Sequence, residues 1–204
     1  MHPNPAFRKS LADQNLAFAA TRGFGQLCVN GEAGPLISHV PFLLDEDGKI
    51  ASFHLVRSNP IWRGLSEPMP AVLAVTGPDA YISPDWYDTP DQVPTWNYVA
   101  VHLRGTIRRL DDDALRPHLD ALAAHFEGRL LPKRPWTADK MTDGVMERMM
   151  RMIAPCALEI ETVDGTWKLN QNKEDAARLA AAAHLAKSEV GAEIGKLIDY
   201  MKDV

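Results

Sequence analysis

The chain has little cysteine, no long apolar run and only a modest net charge, and each shortage closes off a class of function. Two cysteines, Cys28 and Cys156, stand among 204 residues. They lie far apart, each inside an apolar run, with no CxxC or zinc-ligand spacing around them. A disulfide scaffold and a zinc domain are therefore excluded, and two buried, reduced thiols are expected. No apolar stretch approaches the roughly 20 residues that a membrane helix needs. Met1-His2-Pro3-Asn4-Pro5 lacks a cationic region followed by an apolar run, so the sequence predicts no signal peptide and a cytoplasmic protein.

The net charge is −5, from 22 Lys plus Arg against 27 Asp plus Glu. Phosphate contacts supply most non-specific affinity for nucleic acid, so an acidic chain is a poor default binder. The arginine cluster Arg104, Arg108 and Arg109 is short, and DNA remains a possible partner without support from net charge. GxGxxG, GxxxxGK[ST] and GxSxG are all missing, which leaves Rossmann, P-loop and serine-hydrolase readings without support. No internal repeat is present.

What is there suits one well-packed domain, with 46% hydrophobic residues. Residues 6–22 read as a helix with Phe7, Leu11 and Phe18 near one face, ended by Gly23. A strand over 24–29, an Asn30-Gly31 turn, a strand over 36–44, a Glu46-Asp47-Gly48 turn and a strand over 49–55 make a hairpin-rich opening. Residues 71–75 form an apolar strand closed by Gly77-Pro78-Asp79. Residues 96–110 alternate: Val99, Val101, Leu103, Gly105 and Ile107 fall on one face, which predicts a strand with that face in a core. Residues 111–128 read as an amphipathic helix carrying Leu115, Leu119, Leu122 and Phe126. A Met-rich helix over 142–153 is expected to fill the core. A strand over 157–162, an Asp164-Gly165 turn and a strand over 166–169 follow. The tail is Ala-rich and helical, with a stripe of Val190, Ile194, Leu197, Ile198 and Met201. The pattern predicts a mainly β protein with peripheral helices, a small antiparallel barrel.

Four motifs mix rings, amides and cations. They are Ser38-His39-Val40-Pro41-Phe42, His54-Leu55-Val56-Arg57-Ser58-Asn59-Pro60-Ile61-Trp62, Pro94-Thr95-Trp96-Asn97-Tyr98-Val99-Ala100-Val101-His102, and Trp167-Lys168-Leu169-Asn170-Gln171-Asn172. A flat, phosphorylated cofactor wants that mixture. In the second motif Asn59 suits an N-cap and Pro60 the first helical position. Arg57 and Ser58 just before them suit either a phosphate cradle or a capped surface turn. Around the third, Tyr81, Trp86, Tyr87, Trp96 and Tyr98 suit the wall of a planar ligand, a barrel mouth or a subunit contact. His39, His54 and His102 fall on strands, where backbone-satisfied histidines are expected and no metal site is.

Together the motifs resemble one family, the PaiB-like proteins, or FMN-binding negative transcriptional regulators. The similarity runs collinearly from the first strand to about Asn172 and includes Gly77-Pro78-Asp79-Ala80-Tyr81-Ile82-Ser83-Pro84-Asp85-Trp86-Tyr87. The resemblance implies a split β-barrel related to pyridoxamine-oxidase-like flavoproteins. It implies a homodimer with FMN at the subunit interface, where the aromatic cluster and the C-terminal stripe find partners. Residues 1–172 would form the FMN-binding barrel and residues 173–204 a helical extension of it. By position, Ser38, His39, Val40 and Pro41 would run along the flavin edge, with His54 on the next strand. Arg57 would bind the phosphate, assisted by Ser58 and Asn59. Trp96, Asn97 and Tyr98 would touch the ring or ribityl chain, and Trp167 and Gln171 the other subunit's site. The implied function is negative transcriptional control. An FMN-dependent oxidoreductase is the alternative, with His54, Tyr98 or His102 as proton donor, and a haem-binding barrel is a minor one.

Overall fold

The computed structural model describes residues 2–204. Its α-helices are α1 (Ala12–Arg22), α2 (Pro60–Gly64), α3 (Leu115–Gly128), α4 (Val145–Met150), α5 (Asp175–Leu185) and α6 (Ile194–Lys202). Its strands are β1 (Phe24–Gly31), β2 (Gly34–Pro41), β3 (Leu43–Leu44), β4 (Ile50–Val56), β5 (Met69–Ile82), β6 (Thr95–Arg109), β7 (Ile153–Lys168) and β8 (Gly191–Ala192). The strands form one sheet in the order β2-β1-β5-β6-β7-β4-β3, with β8 on β5. The hairpin-linked pairs are antiparallel, as the turn-rich sequence predicts.

Two compact units share these strands. The first runs through Ala19 and takes in Val75–His102 and Val163–Val204; the second comprises Ala20–Ala74 and Leu103–Thr162.

In the second unit, β1 and β2 pair from Phe24↔Pro41 to Gly31↔Gly34. The turn therefore sits on Glu32 and Ala33, two residues beyond the Asn30-Gly31 expected to make it. Gly34 takes up the positive φ of 127° that the turn's exit requires. Leu27, Phe42, Phe53, Leu73, Leu103, Ile107 and Leu158 are buried in this unit. Gly105 lets β6 pass close to β7: a Cβ there would lie 1.8 Å from the Glu159 carbonyl oxygen. The Met-rich segment does not fill the core. Helix α4 buries no residue, and Met149 and Met152 are about half exposed.

In the first unit two glycines read as turn signals lie inside continuous strands. A Cβ on Gly77 would meet the Phe18 ring at 2.6 Å, and one on Gly165 would meet Asn15 Oδ1 at 2.2 Å. Both mark close packing, so β5 and β7 run straight through them. The N-terminal helix is also divided. A 3-10 turn at Pro5–Phe7 precedes α1, and Leu11, between them, is exposed. Part of the C-terminal stripe finds its cover within the unit: Leu197, Ile198 and Met201 are buried, with α6 packed on α5, while Val190 is 53% exposed.

Candidate functional site

The second motif folds as its local chemistry dictates. Strand β4 ends at Val56, and the Asn59 N–H returns to the Val56 carbonyl at 2.8 Å. Asn59 Oδ1 accepts from the Ile61 N–H at 2.9 Å and caps α2, with Pro60 at its first position. The Ile61 N–H is therefore already taken by the cap, and just before it Ser58 is exposed and Arg57 partly exposed. Asn59 Nδ2 donates to Ser38 Oγ at 3.0 Å, tying β2 to this loop.

The Arg57 guanidinium is fixed from two sides. Its Nη2 donates to Asp112 Oδ1 at 2.6 Å, and its Cζ lies 5.6 Å from the centroid of the Trp62 ring. That is its one hydrogen bond among the described residues, so Nε and Nη1 keep their N–H groups for a ligand. The side chain is 36% exposed and opens onto a cavity of about 460 Å³ that Asp112, Leu115, Glu147, Met150 and Arg151 also line. Two arginines, Arg57 and Arg151, and two carboxylates, Asp112 and Glu147, line this cavity, so a phosphate there would have to displace Asp112 from Arg57, and a surface ion pair of that kind is weak.

His54, three residues before Arg57, meets His118 of α3, with Nδ1 and Nε2 3.2 Å apart. Burial lowers the His54 pKa. Burial, and then the neighbouring His54, lower that of His118 to about 4. Both rings are therefore neutral near pH 7.

The Ser38 to Pro41 segment divides between two faces. Ser38 and Val40 point to the side of Leu27, where Val40 is buried. His39 and Pro41 point the other way with Phe24 and Ile37, and His39 stacks on Phe24 at 6.3 Å. Ser58 is exposed.

The remaining expected residues lie in the first unit. Trp96 is 47% exposed, with its ring edge-on to Tyr81 at 6.2 Å. Tyr98 is half-buried, and burial raises its phenol pKa. Asn97 is fully buried and donates to Met201 Sδ at 3.6 Å. Trp167 is buried between Phe18 and Tyr200, and its Nε1 donates to Asn15 Oδ1 at 2.8 Å. Gln171 closes its own turn, accepting from Leu169 N at 2.8 Å and donating to the Trp167 carbonyl. The aromatic cluster also disperses. Trp86 stacks on His184 of α5, and Tyr87 is buried with its hydroxyl on Asn170.

Sequence reasoning did not single out Asp112, His118 or Arg151. A signal for His118 exists: it falls between Leu115 and Leu122 on the buried stripe of α3.

A family model described as "Putative FMN-binding domain" matches residues 1–162. The chain is 28% identical over 171 residues to "Protease synthase and sporulation protein PAI 2" of Bacillus subtilis (strain 168), covering 83% of this chain and 81% of that one. Among solved structures it is similar to "FAD and Heme binding protein" from Mycobacterium smegmatis, with TM-score 0.58 and 19% identity, covering 91% of this chain and 82% of that one. It is also similar to the flavocytochrome Anf3 from Azotobacter vinelandii, with TM-score 0.53 and 11% identity, covering 87% and 74%. The split-barrel fold and the flavin cofactor expected from the four motifs agree with these likenesses. The chain belongs to the FMN-binding domain family that its first 162 residues match.

Proposed function

We propose that this protein binds FMN through Arg57, works as a homodimer with the cofactor at the subunit interface, and acts in negative control of transcription. Arg57 carries the cofactor reading. Asp112 and Trp62 orient its guanidinium, and its side chain lines a cavity with room for a phosphate. Ser58 adds a hydroxyl, and Asn59 holds the loop against Ser38. Bound FMN would supply redox chemistry. Trp96 and Tyr98 offer ring surface and a hydroxyl to a flat ligand. Trp167 and Gln171, whose polar groups are engaged within the chain, act on that surface by fixing the strands behind it, while Asn97 gives its Nδ2 to Met201 and keeps a buried Oδ1 with no partner among the described residues.

The outward face of the β1–β2 hairpin supports the dimer. Phe24 and Ile37 are 51% and 61% exposed there, beside His39. A regulatory output is supported by the relative whose name refers to protease synthesis and sporulation. The arginine cluster is not an open basic patch: Arg108 pairs with Glu159 at 2.6 Å, and Arg109 lies over Trp62 and donates to its carbonyl. Control through a protein partner, or through a surface completed by the dimer, fits this better than direct DNA binding by the cluster.

The second reading, an oxidoreductase acting on a small molecule, is favoured by the His54–His118 pair, whose facing nitrogens lie 3.2 Å apart and can pass the proton they share from one ring to the other. NADH or NADPH consumption with an acceptor panel separates it from a purely regulatory role. The binding claim is tested by Arg57→Ala. A charge-assisted contact is worth about 1.5–3 kcal/mol, so FMN affinity should fall about 10- to 100-fold while riboflavin affinity stays the same. Equal loss for both ligands would remove Arg57 from the phosphate.

A further inference from the structure

The first unit holds a small polar hollow, lined partly by residues of the third and fourth motifs, that the assignment of the FMN phosphate to Arg57 does not use. Its volume is about 200 Å³, and its walls include Tyr87, Thr95, Lys168, Asn170, Asn172 and Lys173. No carboxylate is among the described residues that line it. The Lys168 ammonium donates to Thr95 Oγ1 and the Lys173 ammonium to Gln92 Oε1, both neutral acceptors. Aromatic faces hold both heads in place: Lys168 lies 5.7 Å from the Phe7 ring and Lys173 5.1 Å from the Tyr87 ring. Burial lowers the Lys168 pKa.

Asn170 is the second, independent observation. It is 2% exposed and sits in the left-handed region at φ 64°, a conformation asparagine tolerates. Its Oδ1 accepts from the Tyr87 hydroxyl at 3.2 Å. Its Nδ2 has no hydrogen-bond partner among the described residues, and a buried donor left so is unfavourable by about 1–3 kcal/mol. Two ammonium groups without a carboxylate partner among the described residues, and the side chain that carries an orphaned amide N–H, thus line one hollow. An anion there pairs with both ammonium groups and lies beside the side chain of Asn170.

We infer that this hollow is an oxyanion site that takes a phosphate group, either free or at the end of a small phosphate monoester. Lysines act as point charges with freely rotating donors, which suits a tetrahedral oxyanion. A planar carboxylate is matched best by an arginine fork, and no arginine lines the hollow. The volume is below the roughly 300 Å³ at which whole-ligand pockets begin, so the site takes a headgroup and not a nucleotide.

Calorimetric titration with inorganic phosphate, and separately with glycerol 3-phosphate, tests this on the full chain saturated with riboflavin, which has no phosphate of its own. Arg57→Ala should bind as the unaltered protein does, which separates this site from the FMN phosphate. Lys168→Gln and Lys173→Gln should each weaken binding about tenfold. Asn170→Asp keeps the acceptor for Tyr87 and the left-handed backbone but replaces the N–H donor with an anionic oxygen, and should abolish binding. Tighter binding of the monoester identifies an organic phosphate, and equal binding identifies free phosphate; both support the site. No heat from either probe, or affinity unchanged in both lysine variants, would overturn it.

Discussion

His54 Nδ1 and His118 Nε2 lie 3.2 Å apart, with the ring centroids at 5.4 Å and the planes at 66°. Only one proton fits between the two nitrogens. The contact joins β4, three residues before Arg57, to α3, whose preceding turn carries the Asp112 that orients Arg57. One neutral pair thus helps to set the register of the two elements that bracket the proposed phosphate site.

Acid should break this contact and destabilise the fold. His118 titrates near 6.5 when unfolded and is lowered to about 4 in the fold. Between those values the unfolded chain binds the extra proton and the folded one does not. Its contribution is therefore complete above pH 6.5 and is lost as pH falls towards 4, at up to about 1.4 kcal/mol per pH unit. Urea denaturation across this range should show the slope, and His118→Leu should flatten it. An unchanged slope in that variant would place the acid sensitivity elsewhere.

Gly105→Ala should destabilise the protein severely, because its Cβ would lie 1.8 Å from a backbone oxygen that no rotamer change can move. Overpacking of this kind typically removes about 1–3 kcal/mol, and more where backbone must shift. Gly64→Ala is the control. Nothing lies within 4 Å of its added methyl, and the helical residue should be neutral or slightly stabilising. Thermal melts of the two variants should separate in that order.

Asn15→Leu should lower stability by about 1–3 kcal/mol, since it leaves the buried Trp167 N–H without its acceptor. Asn15→Asp, which keeps an acceptor oxygen, should retain more of the stability. If both variants melt alike, the indole N–H finds another partner.

Strand β6 was the most legible element because strict alternation leaves one choice of buried face, and Val99, Val101, Leu103 and Ile107 are all buried on it. Gly77 and Gly165 were misread for a physical reason. A glycine that makes a turn and one that admits a neighbouring side chain look the same without the neighbour, here Phe18 and Asn15. The Met-rich helix misled in a similar way, since apolar composition does not say which helix the core will cover. At the site, Asn59 and Pro60 are local signals and appear as expected, capping α2. Asp112 and His118 are partners at a sequence distance of more than 50 residues, set by tertiary packing. Trp167 carries ring and N–H in a motif that suits a ligand, yet its N–H meets Asn15, 152 positions earlier in the chain.

Titration of freshly purified protein with FMN, followed in the visible spectrum, tests cofactor binding most directly. The expected result is a flavin spectrum as isolated, or saturation at one FMN per subunit, with no haem band. A colourless protein that leaves the spectrum of added FMN unchanged would contradict it, and the four motifs would then be structural.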